Sequence, residues 1–161
     1  MFQRILVAID GSPVASHAVD VAVQLGEQLG ARMAVLHVVD DSRAYALELA
    51  VLDSRLLTGL RRDGVAFLDA ACKRIPAETK VERLLLEGDP SELIVSAARD
   101  WHADVIVIGN DSRGRLAHFL LGSTADSVIR HGPCPVLTVR CNHEAGPNHS
   151  GPEKVSTRLR E

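Results

Sequence analysis

Short runs of uninterrupted apolar residues recur along this chain, and their composition leaves few folds open. Ile5-Leu6-Val7-Ala8-Ile9, Ala34-Val35-Leu36-His37-Val38-Val39 and Val105-Ile106-Val107-Ile108 do not alternate with polar residues. A strand with one wet face alternates; one that is apolar at nearly every position is covered on both faces. Between these runs the spacing changes to that of helices. Ala15, Ala18, Val19, Ala22, Leu25 and Leu29 follow Ser12-Pro13, an N-cap residue with proline at the first helical position, and Gly30 can close the helix. Alternating strands and helices need crossover connections, so the expectation is a mainly parallel α/β sheet with helices on both faces.

The remaining segments fit that scheme. Residues 42 to 75 are helical in composition, with Leu49, Leu52, Leu56 and Leu60 three or four apart. Gly59 and Gly64 interrupt the pattern and predict a break or bend. Lys80 to Glu87 reads as a third strand, more polar than the others and so expected near an edge. Gly88-Asp89-Pro90 repeats the turn, cap and proline order before a short helix from Ser91 to Trp101. Gly132-Pro133-Cys134-Pro135 is a sharp turn into a fifth strand, Pro135 to Arg140. A chain of 161 residues, 46% hydrophobic, suits one domain, expected over 1–140. The glycine-, proline- and asparagine-containing remainder, 141–161, lacks periodicity and is expected to be a disordered tail.

Charge and composition narrow the partners. A net charge of -3 gives no general basic field, and 3% aromatic residues give no base-stacking platform, so nucleic acid is not an expected ligand. No apolar run approaches the ~18 residues that span a bilayer. The opening Met1 to Ile5 enters a strand at once, without a signal-peptide layout. Cys72, Cys134 and Cys141 are an odd, scattered set, which suits a reducing cytoplasm.

The stretch from Ala103 to Ser123 carries the functional signal. A buried strand stops at Gly109, a polar loop holds Arg113 and Arg115, and Gly122-Ser123 opens a helix running from Thr124 to His131. Loop amides and a helix N-terminus offer oriented N–H donors and partial positive charge, an arrangement suited to phosphate. Ligands of doubly wound sheets sit beyond the carboxyl ends of the strands, where the strand order reverses. Asp10 and Gly109 both fall at such ends. If their strands are neighbours, they flank one crevice, with a carboxylate for ribose hydroxyls and amides for phosphates.

These residues also carry a resemblance. Ile5 to Ser12, Leu36-His37-Val38-Val39-Asp40, Glu87-Gly88-Asp89-Pro90, Gly109 to Ser123 and Arg130 to Val136 resemble the universal stress protein family over essentially all of 3–140. The resemblance implies a five-stranded sheet of order 3-2-1-4-5, of the adenine nucleotide α-hydrolase-like kind. It also implies a homodimer joined through the last strand, here Val136 to Val139. ATP-binding members carry a glycine, two residues, a second glycine, nine residues, then Gly-Ser or Gly-Thr. Gly109 and Gly122-Ser123 match at the right distances; Ser112 stands where the second glycine would be. Serine keeps the backbone N–H, while its Cβ disfavours a positive φ. The resemblance further implies that Asp10 contacts ribose, that Val38 meets adenine through its backbone, and that Ser123 and Thr124 lie against the phosphates. Arg113 is the better phosphate candidate of the two loop arginines. ATP is the implied ligand, with ADP or AMP as alternatives and magnesium as a companion ion.

Plainer roles exist for each residue. Asp10 can end a strand and start a turn, Gly109 and Gly122 can be turn glycines, and Ser123 with Asp126 can form a capping box. His37 reads as a satisfied buried histidine and Cys72 as core. His143 and His149 are a weak metal signal. The function expected is a nucleotide-binding regulatory protein of the universal stress response with little or no turnover and an unidentified protein partner. The alternatives are a dimeric interaction protein without ATP, or a slow ATPase or self-phosphorylating enzyme. Ser-Gly-Gly-x-Asp-Ser, a Walker loop and Gly-x-Gly-x-x-Gly are all absent from the sequence, and no catalytic residue is assigned.

Overall fold

The computed structural model describes residues 2–40, 53–110 and 123–140, apart from the side chains of residues 53 and 54. Among the described residues five strands and four helices follow in order: β1 Arg4–Ile9, α1 Pro13–Leu29, β2 Arg32–Val39, α2 Asp53–Cys72, β3 Val81–Glu87, α3 Pro90–Asp100, β4 Val105–Gly109, α4 Ser123–His131 and β5 Val136–Val139. All strand pairs are parallel, and the sheet order is β3-β2-β1-β4-β5. β1 therefore lies between β2 and β4, with the order reversing beside it. The polar third strand sits at an edge, as its composition predicts.

The apolar runs divide residue by residue between two cores. Ile5, Val7, Ile9, Met33, Val35, Val105 and Val107 point to the face covered by α1 and α2. Leu6, Ala8, Ala34, Leu36, Val38, Ile106 and Ile108 point to the face covered by α3 and α4. Successive strand side chains alternate in direction, so a wholly apolar strand feeds both layers.

The helix boundaries follow the capping chemistry. Ser12 Oγ accepts from the Ala15 N–H at 3.2 Å, Pro13 follows, and Gly30 closes α1 at φ +61°. Asp89 Oδ1 accepts from the Glu92 N–H at 2.9 Å to cap α3. The break expected at Gly59 and Gly64 does not occur, and α2 runs unbroken from Asp53 to Cys72. Its two glycines differ in kind. A Cβ at Gly59 would meet nothing within 4 Å, whereas one at Gly64 would lie 2.6 Å from His37 Cδ2. Gly64 thus lets α2 approach β2 closely without ending the helix.

Polar contacts tie the periphery together. Arg61–Glu87 and Arg83–Asp69 join α2 to β3, and Arg74–Asp20 joins the end of α2 to α1. At the amino ends of the strands, Asp104 Oδ2 accepts from the N–H groups of Gln3 and Arg4 at 2.8 and 2.9 Å. Arg4 donates to the Trp101 carbonyl at 2.8 Å, and Trp101 Nε1 donates to Glu82. Among the described residues no helix is long and apolar enough to cross a membrane.

Candidate functional site

A cavity of about 630 Å³ opens at the carboxyl ends of the central strands. Asp10, Val38, Gly109, Ser123 and Thr124, five of the eight residues singled out from the sequence, line it. Ser112, Arg113 and Gly122 lie outside the described residues, as do Arg115 and the tail 141–161. The crevice between Asp10 and Gly109 follows from the sheet order, since β1 and β4 pair in register from Ile5–Val105 to Ala8–Ile108.

Each of these residues also has a structural part. Asp10 is exposed at the cavity mouth, and its Oδ1 accepts from the Ser12 N–H at 3.0 Å, forming an Asx turn. The turn aims the carboxylate without excluding a ligand, because an ionised carboxylate has further lone pairs. Gly109 packs its Cα against the first turn of α1; a Cβ there would stand 3.1 Å from Ala15 N and Val14 C. The close strand–helix approach thus favours a glycine at this position independently of any ligand. Val38 lies at the end of β2 with its side chain in the core shared with α3 and α4. Ser123 and Thr124 form the first turn of α4, whose amino end faces the cavity. Free amides there carry the positive end of the helix dipole. Both carboxylate oxygens of Asp126 engage the Arg130 guanidinium, at 2.9 and 3.3 Å.

The wall opposite α4 comes from residues the sequence did not single out as ligand contacts. Leu60, Asp63 and Phe67 project from α2 at helical spacing, and Asn110 follows Gly109 with its side chain buried. Positions 60, 63 and 67 share a helix face, a signal present in the sequence but unreadable without knowing what the face met. His37 is the buried, hydrogen-bonded histidine expected, with Nδ1 donating to the Ile9 carbonyl at 2.9 Å, and it also lines the cavity. Its ring meets Phe67 edge-on, centroids 5.3 Å apart and planes at 71°. Asp10, Asp40 and Asp63 bring three carboxylates to the lining. Among the described residues no three His, Cys, Asp or Glu side chains come together as metal ligands. The described lining combines an apolar slot, carboxylates at the mouth and amide donors at a helix terminus.

A doubly wound parallel sheet with a cleft at its switch point is the architecture these residues define. The chain belongs to the universal stress protein family, whose profile matches residues 1–140. It is similar to a Thermus aquaticus universal stress protein from the QAH/OAS sulfhydrylase 3′ region, 37% identical over 141 residues, covering 87% of this chain and all of that protein. Among solved structures, the universal stress protein UspA from Lactobacillus plantarum superposes with a TM-score of 0.71 at 28% identity, covering 86% of this chain and 98% of that one. A universal stress protein in complex with cAMP superposes with a TM-score of 0.66 at 26% identity, covering 86% and 97%.

Proposed function

We propose that this protein is an adenine-nucleotide-binding regulatory member of the universal stress protein family, with ATP as its first ligand and little or no turnover. The observation that carries the reading is the convergence of Asp10, Val38, Gly109, Ser123 and Thr124 on one cavity at the switch point. In this reading Asp10 accepts from ribose hydroxyls, the Val38 backbone meets the base, and the α4 amino end holds phosphate oxygens. Ser112, Arg113 and Gly122 complete the phosphate side. The cAMP complex of a related protein supports an adenine nucleotide here, and ADP or AMP fits the same contacts. Magnesium enters with the phosphates, because the described residues offer no cage of their own. The domain is 1–140, and the setting is the cytoplasm, where the free thiols Cys72 and Cys134 stay reduced.

The test is the release of small molecules from freshly purified, denatured protein, followed by thermal unfolding with added ATP. ATP at about a hundredfold its Kd stabilises by about 2.7 kcal/mol, a melting shift of roughly 5–10 °C for a chain of this length. Bound adenine nucleotide, or that shift, is the expected result. No release together with no shift at millimolar ATP, ADP, AMP or cAMP refutes the reading.

A further inference from the structure

We infer that His37 is a positioning residue of the nucleotide cleft, locking the base-side wall to the ribose-side turn, an inference that rests on the proposed nucleotide site. The argument begins with what the ring touches. Nδ1 sits 2.9 Å from the Ile9 carbonyl; a carbonyl only accepts, so Nδ1 carries the hydrogen. Ile9 immediately precedes Asp10, and His37 immediately precedes Val38. One hydrogen bond therefore ties the ends of β1 and β2 where the two proposed ligand contacts emerge. Ile9 and His37 are also register partners in the β1–β2 ladder, so the bond spans the last pair of that ladder.

The same ring fixes α2. It stands edge-on to Phe67, and the space it fills is open because residue 64 is glycine: a Cβ there would reach 2.6 Å from Cδ2 and 3.1 Å from Nε2. Phe67 in turn rests on the Asp10–Ser12 turn. A Cβ at Gly11 would fall 2.5 Å from the Phe67 ring, and Gly11 has φ +80°, a left-handed conformation that favours glycine. The chain of contacts is closed: Gly64, His37, Phe67, Gly11, and back through Asp10 and Ile9 to His37. Three elements that border the cleft are held by one side chain, which is 8% exposed and opens onto the cavity. Gly64 makes room for the ring and Gly11 for the ring's partner Phe67, so the packing joins separate elements at the cleft.

The role predicts an effect confined to the half of the ligand that carries base and ribose. His37→Leu keeps the bulk and removes the donor; His37→Asn keeps a donor near the Nδ1 position. Kd is measured by calorimetry for ATP, adenosine and inorganic tripolyphosphate on the unaltered protein and both variants, with circular dichroism and thermal unfolding to establish the fold. The expected result is a tenfold or greater rise in Kd for ATP and adenosine in His37→Leu. His37→Asn should stay within about threefold, and tripolyphosphate should change less than twofold in either. A folded His37→Leu that binds ATP within twofold overturns the inference, as does an equal loss for adenosine and tripolyphosphate. If His37→Leu fails to fold, Gly64→Ala, which drives a methyl against the ring, is read on the same ligands with the same criteria. Unaltered protein that binds none of the three overturns this inference together with the nucleotide reading; binding by the unaltered protein with no base-side loss in the variants overturns this inference alone.

Discussion

At the residue scale, the glycines show how one residue type serves opposite ends. Gly59 stands in the middle of α2 with nothing within 4 Å of a prospective Cβ. Gly59→Ala should therefore stabilise the protein by about 0.5–1 kcal/mol, since it removes backbone entropy from the unfolded chain and adds helix propensity. At Gly109 the same change sets a methyl 3.1 Å from the backbone of Val14 and Ala15. Gly109→Ala should destabilise by about 1–2 kcal/mol through displacement of the β4 end from α1. Urea unfolding of the two variants checks the opposite signs. The sequence pointed to both residues but could not separate them, because what distinguishes them is an atom contributed by a distant element. His37 repeats the lesson. Its burial could be read from the neighbouring valines; its place in the cleft wall depends on Gly64 and Phe67, which arrive from α2.

At the scale of elements, caps were the most legible features, because they are written within four residues of one another. Ser12-Pro13 and Asp89-Pro90 both start helices as expected. Asp89 titrates below the usual aspartate range because it accepts from Ser91 Oγ and from the N–H groups of Glu92 and Ser91. A depressed folded-state pKa means stabilisation that is fully present above the unfolded-state value, near pH 4, and lost as pH falls through the lower folded-state value. Asp89→Ala should cost about 1 kcal/mol at neutral pH. Its difference from the unaltered protein should shrink as the pH is taken below about 4, the unfolded-state value, in urea unfolding measured at each pH; a constant difference would place the loss outside the carboxylate. The break expected in α2 failed for a physical reason: a mid-helix glycine costs only about 1 kcal/mol, which contact with the sheet readily outweighs.

At the scale of the whole molecule, the sheet presents two edges of different character. β3 sets Glu82, Arg83 and Glu87 in polar contacts with its flanking helices, which blunts it against further pairing. β5 is short and carries Leu137 at 39% exposure, with Ile129 of α4 exposed at 41%. We propose that those apolar side chains join two copies through Val136 to Val139, the homodimer that the family resemblance implies. Leu137→Lys should shift the protein from dimer to monomer in sedimentation equilibrium with the fold retained; a monomeric unaltered protein, or an unaffected dimer in the variant, argues against that interface.

The strands, their burial on both faces, the parallel α/β class and the capped helix starts were legible along the chain, because each depends on residues close in sequence and on periodicity alone. The strand order came from family resemblance and not from spacing, since nothing in a single strand states its neighbour. Only the assembled sheet placed β1 between β2 and β4 and so brought Asp10 to Gly109 and Ser123. Only the packing of α2 on that sheet turned Leu60, Asp63, Phe67 and His37 into a wall of the cleft. Local sequence fixes what each segment is, whereas a binding site joins segments a hundred residues apart, and that join is set by how two layers of helices cover one sheet.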